Sequence, residues 1–195
     1  MNTNEFDYYV IEQPGDKSYP ILKTHDDSDI TREYMEEEAY IENPELMEFA
    51  FGKPYPKKAV IGDLLEEPDS VVSQKIADVL LPLDIKGIQL IPATVTSNKG
   101  ELYEGFYYIN IYHIVEAMDK NKEKSKYESD EYGISWIDRF NLDKEVLKQI
   151  PLEERLVFKL EEDISIKLFH RSVADAIMAV NPEGIRFTKV EDWFF

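Results

Sequence analysis

The segment Asp27-Ser28-Asp29-Ile30-Thr31-Arg32-Glu33, with Glu38 in the twelfth place, spaces its carboxylates as a calcium loop does. Its sixth place, where the sharp turn needs glycine, holds Arg32, which adds a repelling charge. A solvated acidic stretch is therefore the expected reading of these residues. The three histidines, His25, His113 and His170, lie far apart and form no His-x-x-x-His pattern for a metal. His113 alternates with Ile109, Ile111 and Val115, which predicts a hydrogen-bonded ring on an inner strand face. No serine stands in a Gly-x-Ser-x-Gly elbow, and the eight glycines make no phosphate-cradling loop. With no cysteine in the chain, disulfides, thiol catalysis and thiolate metal sites are all excluded. Two carboxylates at the right separation could serve a glycosidase or a metal-dependent hydrolase. Among 40 acidic residues, though, a chosen pair carries no information.

The most unusual composition runs from Asp26 to Glu48, where ten carboxylates accompany one arginine. Tyr34 and Tyr40 are interleaved with them. Aromatic side chains anchor protein interfaces, while charge steers encounter and rejects wrong partners. Asp26, Asp27, Tyr34, Glu36, Glu37, Glu38 and Tyr40 are accordingly the candidate surface for a basic partner. The bland alternative is an acidic face that keeps the protein dissolved. The whole chain carries 22 basic residues against the 40 acidic ones, a net charge of −18. Nucleic-acid binding and docking on an anionic membrane are both disfavoured by that balance.

Elements must position these groups. Tyr8-Tyr9-Val10-Ile11 reads as a strand closed by the turn Gln13-Pro14-Gly15-Asp16. Val72, Ile76, Val79, Leu80 and Leu83 fall at helical spacing, with Ser73 as the expected N-cap. Gly87 precedes a strand at Ile88-Gln89-Leu90-Ile91. Further strands are expected at Phe106 to Val115, Ile134 to Ile137 and Leu156 to Leu160, with a short helix around Val146, Leu147 and Ile150. Asp119 to Glu131 reads as a charged surface excursion. One internal echo links these elements. Val72 to Leu80 and Lys86 to Leu90, shifted by 97 residues, meet Phe169 to Ile177 and Glu183 to Phe187 without a gap. Each copy is an amphipathic helix, a glycine free to take positive φ, and a strand.

Together these features predict an α+β protein with mixed or antiparallel sheets and a few packed helices, built around a helix–Gly–strand unit used twice. The organisation expected is an acidic segment 1–55 packed on a body of residues 56–195, or one domain throughout. The first residues have no basic start and no apolar stretch, which argues against a secretory leader and for a cytoplasmic protein. No cofactor or metal is implied.

Val71-Val72-Ser73-Gln74-Lys75-Ile76 through Gly87-Ile88-Gln89-Leu90-Ile91-Pro92, the strand Tyr107-Tyr108-Ile109-Asn110-Ile111, Leu156-Val157-Phe158-Lys159-Leu160 and the closing Gly184-Ile185-Arg186-Phe187 resemble one known family. It is the bacterial polymorphic-toxin immunity proteins of family eleven, and the likeness covers about residues 60–190. The family pattern usually carries a small serine where His170 stands here, with Ser172 two places on, and Phe6 to Glu48 finds no firm counterpart in the resemblance. The resemblance implies a small α+β protein encoded beside a toxin and binding it stoichiometrically. On this view the acidic aromatic face would cover a basic cleft, such as that of a nuclease, with carboxylates standing in for substrate phosphates. A homodimer is compatible with it. No catalytic motif carries over. Rival readings are a non-inhibitory adaptor or chaperone of a secreted effector and a carboxylate-based, metal-dependent hydrolase.

Overall fold

The structure is a computed structural model and describes residues 3–25, 29–37 and 39–194. In chain order the elements are β1 (Tyr8–Glu12), β2 (Leu22–Thr24), α1 (Asp29–Glu36), β3 (Met47–Phe51), β4 (Leu64–Leu65), β5 (Val71–Ser73), α2 (Gln74–Leu80), β6 (Ile88–Thr96) and β7 (Leu102–Ile111). They continue as β8 (Ile114–Val115), β9 (Lys126–Asp130), β10 (Gly133–Arg139), α3 (Lys144–Leu147), β11 (Val157–Leu160), β12 (Asp163–His170), α4 (Arg171–Met178) and β13 (Arg186–Lys189). One sheet has the order β13-β1-β12-β11-β8, a second β2-β3-β6-β7-β5-β4, and β9 and β10 form a separate ribbon. The pairs β3–β6 and β8–β11 are parallel and the others antiparallel. This is the mixed α+β architecture expected.

The sequence echo is a duplicated split βαβ unit. In the first copy β5 and β6 both lie antiparallel to β7, with α2 crossing between them. In the second, β12 and β13 both lie antiparallel to β1, with α4 crossing. The registers coincide. Val72 faces Tyr107 and Pro92 faces the same Tyr107, while their counterparts Phe169 and Lys189 both face Tyr9. Ile76, Ala77 and Leu80 of α2 are buried, and so are the matching Val173, Ala174 and Ile177 of α4. The two helices pack on each other in a central core that also holds Val72, Ile109, Ile111, Val157 and Phe169. The copies differ in chain order. The middle strand follows its unit in the first and comes from the chain's start in the second.

Two expectations needed correction at the helix starts. Val72 belongs to a strand, because it pairs with Tyr107 and the helix begins only at Gln74. Ser73 occupies the N-cap position without capping, since its hydroxyl donates to Asp63 at 2.6 Å. Asp63 also accepts from the Glu183 amide at 2.7 Å and the Lys75 ammonium at 3.0 Å, so it joins the two copies. Burial pushes the Asp63 carboxyl up, but these hydrogen bonds outweigh it and hold it below the usual range. His170, at the matching N-cap, accepts from the Ser172 amide through Nδ1. The reach from Asp119 to Glu131 is not wholly irregular. Lys126–Asp130 pairs with Gly133–Arg139, and Tyr132 at the turn is 90% exposed.

A second core covers the outer face of the five-stranded sheet, with Phe140, Leu147, Phe158, Leu168 and Trp193. A third covers the outer face of the other sheet, with Met47, Phe49, Ile91, Val95 and Tyr108. No helix among the described residues is long and apolar enough to cross a membrane.

Candidate partner-binding face

Asp29, Thr31 and Glu33, three of the residues spaced like calcium ligands, lie in α1 rather than in a loop. Helical backbone spreads alternate residues around the axis, so they cannot converge on one ion. Among the described residues no group of three or more His, Asp or Glu side chains could hold a metal.

α1 is tied to the six-stranded sheet and to the loop that follows the helix. The buried Thr31 hydroxyl accepts from the Glu48 amide of β3 at 2.8 Å. The Tyr34 hydroxyl accepts from the Glu45 amide at 3.1 Å, closing the loop that follows the helix. That loop is clamped from beneath. Gln89 of β6 accepts from the Ile41 amide and donates to the Ile41 carbonyl, at 3.1 and 2.8 Å. The fully buried Asn110 of β7 donates to the Ala39 carbonyl at 2.9 Å. On this platform Tyr40 is 59% exposed, with its ring edge-on to Tyr112 at 6.0 Å.

The predicted surface residues therefore take different roles. Glu36, Glu37 and Tyr40 are exposed, whereas Tyr34 is half-buried and its hydroxyl fixes the loop. Asp26, Asp27 and Glu38 lie outside the described residues. Glu36 and Glu37 stand at the carbonyl end of α1, where negative charge opposes the helix dipole by about 0.3–1 kcal/mol each. Neither has an ion-pair partner among the described residues. Their charge is thus set against local stability and left open to solvent.

The family model of the immunity protein family Imm11 matches residues 7–192. The chain belongs to the Imm11 immunity protein family. The match takes in both βαβ copies and the acidic segment of this Imm11 protein, including Phe6 to Glu48 beyond its first residue. No curated protein matches the chain.

Two further features of the Imm11 protein escaped sequence reasoning. The β9–β10 ribbon presents Tyr132 and Trp136 to solvent. The sequence predicts the strand at Ile134 to Ile137, which is part of β10, but not its partner β9, whose charged residues read as loop. A group of buried charges also lies beside the 66–69 turn. The Lys167 ammonium reaches Asp69 at 2.5 Å and the Ser70 hydroxyl at 2.9 Å, and the Tyr108 hydroxyl donates to Asp69 at 3.0 Å. Burial raises the Asp69 carboxyl, but the attraction and hydrogen bond of Lys167, the Ser70 amide and the field of Lys159 together lower it below the usual value. A depressed carboxyl stabilises the fold above its unfolded pKa and loses that contribution as pH falls through the folded one. Asp69→Asn should therefore lower stability at pH 7 by about 3 kcal/mol, the cost of stripping a buried charge of its partner. In acid denaturation series the gap between variant and parent should close as pH drops below about 4. A gap that stays unchanged well below pH 4 would contradict the assignment.

Proposed function

We propose that this Imm11 protein neutralises a cognate toxin by direct, stoichiometric binding, without transforming a substrate. The contact surface is the acidic aromatic face of Asp26, Asp27, Tyr34, Glu36, Glu37, Glu38 and Tyr40. The observation that carries this reading is the pair Glu36 and Glu37, unneutralised at the wrong end of a helix and beside the exposed Tyr40. A rigid platform of this kind loses little freedom on binding. It suits a basic cleft such as a nuclease presents, with carboxylates taking the places of phosphates. Residues 1–55 are read as part of this body rather than a separate lobe, since β1 pairs with β12 and β13.

Co-expression with the neighbouring reading frame tests the proposal. That product should be lethal alone and harmless with this protein. A product harmless alone, or lethal in both cases, would end the toxin reading, and a bound product that keeps its activity would point to an adaptor. With the toxin in hand, Glu36→Lys with Glu37→Lys should slow association roughly tenfold at low salt, and the difference should shrink at 0.15 M as screening sets in. An association rate indifferent to both changes would remove the acidic face from the mechanism.

A further inference from the structure

A cleft of about 680 Å³ opens where β11, β12 and the end of β1 face the 66–69 turn. At its floor Lys159 and Lys167 stand directly opposite each other in the β11–β12 ladder. Each is only 7% exposed. Two like charges opposed on one sheet face repel, and burial strengthens the repulsion. Lys167 is neutralised by Asp69. Lys159 has no hydrogen bond or ion pair of its ammonium among the described residues, although it lines the cleft. Packing alone does not call for a charge there, because an apolar side chain of similar length would fill the place without the cost of desolvation.

Three of the four acids around the cleft are already engaged, and the fourth, Glu67, is exposed. Both Asp69 oxygens are taken, one by Lys167 and the Ser70 amide and the other by Tyr108. Glu12 accepts from Arg186, Thr188 and the Trp193 indole. Glu66 accepts from the Gln13 amide at 2.6 Å. What remains is one desolvated ammonium beside an apolar wall that includes Met35, Pro68, Ile164 and Phe194, the last 76% exposed.

We propose that this cleft is a binding site for a single carboxylate on a short apolar stem, with the Lys159 ammonium as its counter-ion. A monoanion gives the Lys159 ammonium a hydrogen-bonded partner, where Asp69 reaches it only through its field, whereas the surrounding carboxylates repel the second charge of a phosphate. The stem covers Ile164 and Phe194. Met35 belongs to α1, so the cleft adjoins the acidic face, and an Asp or Glu side chain of a bound partner can supply the carboxylate. A free short-chain acid has the same chemistry. Only the partner as source rests on the toxin-binding reading; the site does not.

The test titrates the full-length protein with isovalerate and with its uncharged analogue isovaleramide at constant ionic strength. Calorimetry and the melting temperature give the readout. Isovalerate should bind and raise the melting temperature, and the amide should bind roughly tenfold more weakly or worse, the equivalent of one charge-assisted hydrogen bond. Lys159→Met should lose the preference for the acid. Should that variant fail to fold, the comparison of acid and amide on the unaltered protein still decides. Equal binding of the two, or no binding of either in the millimolar range, would overturn the site. With the site upheld, a toxin complex weakened tenfold by Lys159→Met assigns the carboxylate to the partner, and an unchanged complex assigns it to a free acid. If no toxin is found, the result with acid and amide stands unaffected.

Discussion

Gly87→Ala should lower the melting temperature by roughly 10 °C or more, equivalent to about 3–5 kcal/mol in a chain of this size. Gly87 sits at φ +83°, where a side chain is strained by about 1–2 kcal/mol. A Cβ there would also lie 2.3 Å from the Cβ of His113. No rotamer change relieves a clash between two Cβ atoms, so the backbone must move, and overpacking costs about 1–3 kcal/mol more. The backbone cannot move freely. The Gly87 carbonyl accepts from the amides of Tyr112 and His113, which hold the turn between β7 and β8 against it. Gly100→Ala is the control, since Gly100 has φ +81° and an added methyl group would meet nothing within 4 Å. It should show the conformational cost alone, about 1–2 kcal/mol. Adding His113→Gly to Gly87→Ala should recover the contact part of the loss and leave the φ part. Equal melting temperatures for the Gly87 and Gly100 variants would show that the close approach carries no cost.

Arg155→Met should be comparably severe, about 3–5 kcal/mol, measured by urea denaturation at neutral pH. Arg155 is fully buried, and its guanidinium is held from three sides. Nε donates to the Ile150 carbonyl at 2.9 Å, Nη1 to the Glu5 carbonyl at 3.0 Å and the Tyr8 hydroxyl at 2.6 Å, and Nη2 to the Glu5 carboxylate at 2.9 Å. The Tyr8 hydroxyl in turn donates to the Arg155 carbonyl at 3.0 Å. Removing the fork leaves the Ile150 and Glu5 carbonyls and the buried Tyr8 hydroxyl short of their donors. It also loosens the start of β1, the middle strand of the second βαβ copy. Arg155→Lys keeps the charge but cannot reach all three sides, so it should recover only part of the stability. Full stability with lysine would show that charge rather than fork geometry matters.

Much of the fold can be read from the chain because it is written in helical spacing and glycines. The paired Ala-Asp and Gly-Ile dipeptides of the two copies predict the repeat, and the structure places both glycines at positive φ. The middle strands do not show the repeat. Tyr8 to Glu12 and Phe106 to Asn110 share register and alternation but little identity, and they fall on opposite sides of their units. His113 illustrates a local limit. Its alternation with isoleucines predicts a hydrogen-bonded ring, yet Nε2 is buried with no partner among the described residues, and burial lowers its basicity against the pull of Glu154. The ring is placed by the approach of Gly87, a contact between segments that periodicity does not encode. For the acidic face, composition identifies the segment, but only the structure separates Tyr34, which fastens a loop, from Tyr40, which faces outward. Lys159 is legible in the sequence only as one letter in an apolar strand. Its meaning depends on Lys167 across the ladder and Asp69 in the turn before β5.

The displaced middle strand has a consequence for the order of assembly. The first copy closes within residues 71–111, whereas the second must bring Tyr8 back to His170. That is more than two doublings of loop length, about 1.4 kcal/mol of extra closure entropy. Units with short closures form faster. Nucleation therefore belongs to the six-stranded sheet, and the gap between β12 and β13 is filled late, when β1 slides in as a keystone and Arg155 locks it.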